Sequence, residues 1–193
     1  MLMAQNTRDR MIDAAVDALR RDGVAGMSFT DLLIASGAAR GAIYHHFPGG
    51  KSELVVEAVT RNADDVRRRL VDLAHGSPRV VVDEFLSLIR PVVQESSAGS
   101  GCAVAAAAMA ASDQRDYESL QQAAATAVTS WIGVLKESLH AGGMDGTAAA
   151  DLATLLVTTL EGAHVLARAE GRIDPFDQAA RALRALVASR YPG

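Results

Sequence analysis

Apolar residues recur at helical spacing along almost the whole chain, with polar residues between them. Near the N-terminus, Ile12, Ala15, Val16 and Leu19 form one stripe, as expected for the buried face of an amphipathic helix. Glycines, prolines and short polar caps separate about nine such segments. No segment alternates between apolar and polar residues as a half-buried strand does. The pattern therefore predicts an all-α protein.

The breaks between segments give approximate helix boundaries. Ser28 is the predicted N-cap of the second helix, with Asp31 in its first turn, and Thr147 is the predicted N-cap of the eighth. Pro78 and Pro175 suit the first turns of the fifth and ninth helices. The predicted helices cover residues 6–22, 28–36, 39–47, 52–75, 78–95, 102–112, 117–140, 148–170 and 175–191.

Composition restricts the class of protein. Hydrophobic residues make up 49% of the chain and charged residues 22%, which is typical of folded, soluble proteins. The N-terminus lacks the apolar core of a signal peptide. The most apolar stretch, residues 102–111, is about half as long as the roughly 20 residues that a membrane span needs. We therefore expect a cytoplasmic protein without a membrane partner.

Charge and cysteine content narrow the class further. A net charge of −4 is not typical of a protein that coats nucleic acid non-specifically, so any DNA binding requires a local cationic face. Cys102 is the only cysteine, which excludes an internal disulfide and a multi-cysteine zinc site. Two interpretations of Cys102 remain open, namely a small core residue or a reactive thiol that acts as a redox sensor or a nucleophile.

Two short predicted helices, over residues 30–36 and 39–47, are separated by a turn that contains Gly37. This arrangement is typical of a helix-turn-helix, in which the second helix enters the major groove of DNA. An ordinary surface turn between two helices of a bundle is the alternative.

The second of these helices has two distinct faces. Ile43 and Phe47 lie four residues apart and are expected to pack inward. An outward Arg40 can donate two hydrogen bonds to a guanine edge. The remaining outward polar groups suit phosphate oxygens, as do the amides at the helix starts near Thr30 and Lys51. These phosphate-binding candidates on and after the helix are Tyr44, His46 and Lys51, and His45 also projects outward.

The motif resembles the DNA-binding signature of the TetR family of regulators. The resemblance lies in the run Gly-Ala-Ala-Arg-Gly-Ala-Ile-Tyr-His-His-Phe-Pro-Gly-Gly-Lys-Ser-Glu-Leu over residues 37–54 and in the preceding residues 12–33. The turn at 48–51 is similar to that of the LmrA-like branch, the lincomycin-resistance regulators. Gly-Cys-Ala-Val-Ala at 101–105 and Glu-Gly-Ala-His-Val-Leu-Ala-Arg at 161–168 also resemble that branch.

The resemblance implies an all-α homodimer with a three-helix helix-turn-helix domain over residues 1–54. A larger helical domain over residues 55–193 would bind a small-molecule effector and form the dimer. Effector binding would release the palindromic double-stranded operator DNA, so the implied function is a ligand-responsive regulator, in most cases a repressor. A DNA-binding protein of the same fold without an inducer, architectural or linked to cell division, is the alternative. An enzyme is not expected, and neither a metal nor another cofactor is expected.

The chain departs from the family pattern at two positions of the recognition helix. Ala39 and Ala42 stand where the family commonly has hydroxyl residues, so two hydrogen bonds to DNA are missing. The full predicted DNA-binding set comprises Ser28, Thr30, Ala39, Arg40, Ala42, Tyr44, His45, His46 and Lys51.

The effector pocket is predicted where the middle helices converge, because ligand sites are mainly apolar with a few polar groups. For each member, a plain core position is the alternative. Glu161 and His164 lie three apart on one helix and are either polar groups of the pocket or a surface or dimer-seam pair. The predicted set is Phe85, Leu88, Ile89, Cys102, Met109, Trp131, Leu135, Thr158, Glu161 and His164.

The eighth and ninth helices are predicted to form a two-fold dimer interface, with small residues that allow close approach and larger ones that supply apolar area. Such a dimer would set its recognition helices about 34–36 Å apart, close to one turn of duplex. The predicted interface comprises Leu152, Leu156, Gly162, Ala163, Leu166, Ala167, Phe176, Leu183 and Leu186.

Overall fold

The computed structural model describes residues 6–73, 75–111 and 117–191. Within these ranges the chain forms nine α-helices and no strand, which confirms the all-α prediction. The helices are α1 (Thr7–Gly26), α2 (Phe29–Ser36), α3 (Ala42–His46), α4 (Lys51–Val71), α5 (Pro78–Ser96), α6 (Ala103–Ala108), α7 (Tyr117–Ala141), α8 (Gly146–Glu170) and α9 (Asp174–Arg190).

Local chemistry explains where several helices begin and end. Gly23 interrupts α1 with φ 68°, a left-handed conformation that glycine adopts at little cost. The predicted cap of α8 at Thr147 is wrong, because the Asp145 carboxylate accepts the N–H groups of Thr147 and Ala148 at 3.0 and 3.1 Å. α6 ends at Ala108 instead of residue 112, and residue 112 itself lies outside the described ranges.

The chain divides into two compact units. The first comprises residues up to 64 together with residues 102–127, and the second comprises 65–101 and residues from 128 onward. This division differs from the predicted boundary after residue 54, because α6 and the first part of α7 group with the N-terminal helices.

Each unit has its own apolar core. In the first unit α1 packs against α2 and α6, with Met11, Ile43 and Phe47 completely buried. In the second unit α5 packs against α8 and α9, which also contact each other. Its completely buried side chains include Leu135 and Leu156.

α8 is the one described helix that is long and apolar enough to cross a membrane by length and composition, a test that core helices of globular proteins also pass. In the most apolar 18 residues of α8, 44% is buried inside the protein. The helix packs against α5 and α9 of the same unit. The helix itself was predicted over residues 148–170, but residues 102–111 were taken as the most apolar stretch, so the apolar length of α8 was overlooked.

Candidate nucleic-acid interface and effector-binding residues

A tight turn joins α2 to α3. The Ser28 hydroxyl caps α2 by accepting the N–H of Asp31 at 3.3 Å. Gly37 ends α2 in the left-handed region, φ 63°, and its N–H donates to the Ile34 carbonyl at 3.2 Å. A side chain at Gly37 would be strained whatever space surrounds it. The turn therefore fixes the direction in which α3 leaves α2.

α3 is anchored by the two residues that the sequence assigns to its inner face. Ile43 and Phe47 are both 0% exposed, while Tyr44 is 69% exposed. α3 is shorter than the predicted helix over 39–47, because residues 39–41 form the preceding turn, closed by an Ala42 N–H to Ala39 carbonyl bond of 2.9 Å. Arg40 is exposed in that turn, so it can move further than a residue within the helix.

The other members of the predicted DNA-binding set also lie on or near the surface. His45 is exposed and His46 is half-buried, with their ring centroids 4.9 Å apart in an edge-to-face arrangement. Ala39 is exposed and Ala42 half-buried. Thr30 is exposed in the first turn of α2. These predicted residues are therefore exposed or half-buried, and all of them are polar or small.

Ion pairs join α1 to α4 on the inner side of the helix-turn-helix, where the Phe47 side chain packs. Arg8 pairs with Glu57, and its guanidinium also lies 5.0 Å from the centre of the Phe47 ring. Arg61 donates to Asp9 at 2.7 Å. These contacts hold the end of α3 against α1, since Phe47 follows its last turn. Sequence analysis missed them because the partners lie about 50 positions apart.

Two further cations bind backbone carbonyls. The Arg10 Nε donates to the Ser36 carbonyl at 3.0 Å, at the C-terminus of α2. The Lys51 ammonium donates to the Met27 carbonyl at 2.9 Å. Lys51 was predicted to bind phosphate, and here it also ties α4 to the segment before α2. An ammonium has three N–H donors, so one such bond leaves donors for a phosphate.

The N-terminal part of the chain is not basic as a whole. Residues 6–64 contain seven Lys and Arg residues against eight Asp and Glu residues. Arg40 forms no hydrogen bond or ion pair with any described residue, so its charge is available to DNA. Binding by this unit would depend on a few placed contacts and would gain little from a general positive field.

The predicted effector-binding residues divide into buried and surface positions. In the second unit, Phe85, Ile89, Trp131 and Leu135 are at most 5% exposed, and Leu88 is half-buried.

Three of the predicted residues do not lie in an apolar interior. Met109 is 72% exposed and Thr158 is exposed on the outward face of α8, so neither lines a buried cavity of the described chain. Cys102 is the N-cap of α6, where its Sγ accepts the Ala105 N–H at 3.4 Å. It therefore precedes α6, whereas the predicted sixth helix included it.

A buried polar pair joins α5 to α8. The Ser96 Oγ lies 2.6 Å from the His164 Nδ1, and the two residues are 0% and 6% exposed. The side-chain oxygens of Glu161, one turn earlier on α8, are also buried. The alternative of a surface pair for Glu161 and His164 therefore does not describe this chain. Ser96 was missed, since no short-range pattern links it to a histidine 68 positions away.

The predicted dimer set needs a correction. Six of its nine members lie in the chain's own core and are at most 7% exposed, so their side chains cannot reach a partner. Gly162, Leu166 and Leu186 are exposed. The buried members are Leu152, Leu156, Ala163, Ala167, Phe176 and Leu183.

The opposite faces of α8 and α9 are apolar and exposed. We call this surface the outer α8–α9 face; its larger members are Leu155, Val165, Leu166 and Leu186, which are 38–60% exposed. Thr158, Gly162, Ala182 and Ala185 are its smaller exposed members. A groove of about 180 Å³ at one end of the face includes Leu155 and Leu186 in its lining.

Comparisons with known proteins agree with this architecture. Residues 11–58 match the family model for bacterial regulatory proteins of the tetR family, and residues 78–182 match the C-terminal domain of LmrA/YxaF-like transcriptional regulators. An uncharacterised HTH-type transcriptional regulator of Mycobacterium tuberculosis is 32% identical over 191 residues, with 97% of each chain covered.

Two further matches extend the comparison. The HTH-type transcriptional regulator LmrA of Bacillus subtilis is 26% identical, covering 83% of this chain and 86% of its own. The crystal structure of a TetR transcriptional regulator from Chloroflexus aurantiacus is similar with a TM-score of 0.78 and 26% identity over 94% of both chains.

Proposed function

Since this chain belongs to the TetR family of bacterial transcriptional regulators, with an LmrA/YxaF-like C-terminal domain, we propose that it represses transcription by binding a palindromic operator as a homodimer. A small hydrophobic effector bound in the second unit releases the operator. The protein is a regulator and not an enzyme, and we infer that it acts in the cytoplasm, where its DNA is.

The observation that carries the proposal is the two-sided geometry of α3. Ile43 and Phe47 are buried, so the helix is fixed to the core, while Arg40, Tyr44 and His45 remain exposed. An α3 held in this way can enter the major groove without rearrangement. Arg40 then reads a guanine edge, and Tyr44 with Lys51 contacts phosphates.

The outer α8–α9 face supports the homodimer. A run of exposed leucine and valine with small residues between them suits close helix packing across a two-fold axis. Exposed aliphatic side chains in such a run are typical of protein–protein contacts. The dimer brings two recognition helices to the same operator. The affinity of the second half-site contact then compensates for the general positive charge that the first unit lacks.

The buried polar pair supports an effector site in the second unit. Ser96 and His164 provide oriented polar groups next to the apolar residues of α5, and ligand sites combine such features. The effector releases DNA only if it binds better to the arrangement that cannot bind the operator. Equal effector affinity for the free and operator-bound protein would contradict this part of the proposal.

The experiment is a titration on the DNA upstream of the protein's own gene, with scrambled duplex as control. We expect Arg40→Ala to weaken binding by roughly 5- to 150-fold for each half-site, which corresponds to about 1–3 kcal/mol per guanine contact. Lys136→Ala, which removes an exposed cation from α7, is the matched control and should not change affinity.

Two outcomes would contradict the proposal. Equal losses in the Arg40 and Lys136 variants would mean that binding depends on net charge alone. Tight operator binding that no hydrophobic compound relieves, in a protein that binds none by calorimetry, would favour a DNA-binding protein of this fold without an inducer.

A further inference from the structure

Arg8 is a half-buried cation on α1 that contacts two other parts of the helix-turn-helix unit. Its Nη2 donates to both carboxylate oxygens of Glu57 on α4. Its guanidinium carbon lies 5.0 Å from the centre of the Phe47 ring, within the roughly 6 Å range of a cation–π contact. Because the same planar group makes both contacts, the Glu57 carboxylate restricts where the guanidinium lies over the ring.

α3 depends on its neighbours for its orientation. It has five residues, and no described side chain caps its N-terminus; a helix this short is unstable in isolation. Two completely buried side chains, Ile43 and Phe47, attach the segment to the core. Ile43 lies within the helix, whereas Phe47 follows it with a non-helical backbone, φ −136° and ψ 84°. A group that restrains the Phe47 ring therefore restrains the C-terminal end of α3.

The orientation of α3 determines where the proposed DNA contacts point. Arg40 and Tyr44 are exposed on the segment that Ile43 and Phe47 attach to the core. Hydrogen bonds to a base edge need accurate placement, because they weaken steeply as the angle at the hydrogen departs from linearity. Non-specific attraction to the phosphate backbone depends on charge and does not need this accuracy.

Building on the proposed function, we propose that Arg8 is a positioning residue for operator recognition. Arg8 does not contact DNA. Through the Phe47 ring it keeps α3 in the orientation that enters the major groove, and Glu57 keeps Arg8 in place. A protein whose binding-competent arrangement is only partly populated binds more weakly in proportion to that population. Loss of Arg8 should therefore weaken binding to the operator more than binding to unrelated DNA.

The test compares two duplexes and four full-length proteins. The operator duplex is the tightest one that the wild type selects from random sequences, and a scrambled duplex is the reference. The dissociation constant is measured on both duplexes over a range of salt concentrations, for the wild type, Arg8→Ala, Glu57→Ala and Arg21→Ala. Arg21→Ala is the matched control, since it removes an exposed cation from the same helix.

We expect Arg8→Ala to lose about 5- to 30-fold in operator affinity beyond Arg21→Ala. This corresponds to a cation–π contact of about 0.5–1 kcal/mol lost in each of two subunits. On the scrambled duplex the two variants should agree, and their salt slopes should be equal. Arg8→Ala is expected to fold, because both partners of its ion pair remain partly in contact with solvent and such pairs contribute little to stability.

Glu57→Ala should also weaken operator binding, because the guanidinium of Arg8 then loses the carboxylate that places it over Phe47. This loss is opposite in sign to the effect of charge. Removing a carboxylate from a DNA-binding unit would by itself strengthen the attraction to phosphates.

Three results would overturn the inference. A salt slope that falls by about one more per subunit in Arg8→Ala than in Arg21→Ala would make Arg8 a direct phosphate contact. Tighter operator binding by Glu57→Ala would mean that charge and not orientation determines the affinity. Lower thermal stability of Arg8→Ala with operator affinity equal to that of Arg21→Ala would restrict Arg8 to a structural role.

Arg40→Ala separates this inference from the proposed function. If Arg40→Ala weakens operator binding while Arg8→Ala binds as tightly as Arg21→Ala, only the positioning role of Arg8 is rejected. If Arg40→Ala also binds like the wild type, or if the wild type selects no duplex at all, the proposed function is rejected together with this inference.

Discussion

The protein has two outward surfaces of different chemistry. On the helix-turn-helix, the exposed residues other than Ile34 are polar or small, among them Thr30, Asp31, Arg40, Tyr44 and His45. On the outer α8–α9 face, they are leucine and valine with small residues between them. The first surface offers hydrogen-bond donors for a polyanion, and the second offers apolar area for another protein surface. This difference in chemistry supports the proposed assignment of the first surface to DNA and of the second to a partner subunit.

The two regions also differ in what supports them from within. Behind α3, Arg8 and Arg61 on α1 and α4 pair with carboxylates, and Lys51 binds a carbonyl. Beneath the outer α8–α9 face the interior is apolar apart from the buried Ser96–His164 pair and the Glu161 oxygens, and ion pairs such as Arg90 with Asp177 at 3.0 Å lie at the exposed edge. Exposed pairs of this kind contribute little to stability, so the second unit depends on packing.

The largest expected effect separates the inner from the outer face of α8. Leu156→Ala removes a completely buried side chain and should lower the free energy of unfolding by about 2–5 kcal/mol. Leu155→Ala, its 40% exposed neighbour, should leave the stability of the dissociated subunit nearly unchanged, measured at a protein concentration too low for self-association, and should weaken self-association at higher concentration. Urea denaturation and sedimentation measure the two quantities. If Leu155→Ala lowered the stability and Leu156→Ala weakened self-association instead, α8 would present its other face to the partner.

The next effect concerns the polar pair beneath that face. Ser96→Ala deprives the buried His164 ring of its partner at 2.6 Å, and we expect a loss of about 1–3 kcal/mol. Ser87→Ala on the same helix, an exposed serine, is the control and should change stability by less than about 0.5 kcal/mol. Equal thermal stability of both variants would argue against a structural role for the pair.

On the DNA-binding side, Lys51 allows a test of two roles at once. Lys51→Ala should cost about 0.5–1.5 kcal/mol of stability, because the Met27 carbonyl loses its donor. If Lys51 also binds phosphate, the slope of log K against log salt should fall by about one for each subunit. An unchanged slope with reduced stability would restrict Lys51 to its internal contact.

The smallest effect is a pH dependence at the start of α8. Hydrogen bonds from the backbone N–H of Thr147, and then of Ala148, lower the pKa of Asp145. A depressed carboxyl pKa contributes stability above the unfolded value of about 3.9, and this contribution is lost as the pH falls through the folded value. Asp145→Asn should therefore flatten the acid limb of the stability–pH curve, measured in urea from pH 2 to 7. If the stability–pH curves of the wild type and Asp145→Asn ran parallel, the helix cap would not depend on the charge of the Asp145 carboxylate.

The contrast between the two regions also explains why the sequence predicted the buried face of α3 correctly but not the buried face of α8. The recognition segment over residues 39–47 is short and has two large apolar side chains, Ile43 and Phe47, four positions apart, so its inner face was identified correctly. α8 is apolar on nearly every side, and its periodicity cannot tell core from interface. This is why Leu156 and its buried neighbours were assigned to the dimer.

Contacts between distant positions were beyond sequence reasoning. Arg8 with Glu57, and Ser96 with His164, depend on how helices pack, and no local pattern specifies such pairings. Met109 and Thr158 were predicted to line an effector pocket between the middle helices, but each occupies a surface position. The position of a helix can be predicted from the local sequence pattern. Which residues meet in a site depends on how the helices pack, and the local pattern does not specify that.

The most direct test of paired DNA recognition is selection of operator sequences from random duplexes by the wild-type protein. We predict enrichment of a palindrome whose half-sites are centred about one helical turn apart, and loss of that enrichment in Arg40→Ala. Enrichment of a single unrepeated element, or of no sequence at all, would contradict an operator-binding dimer.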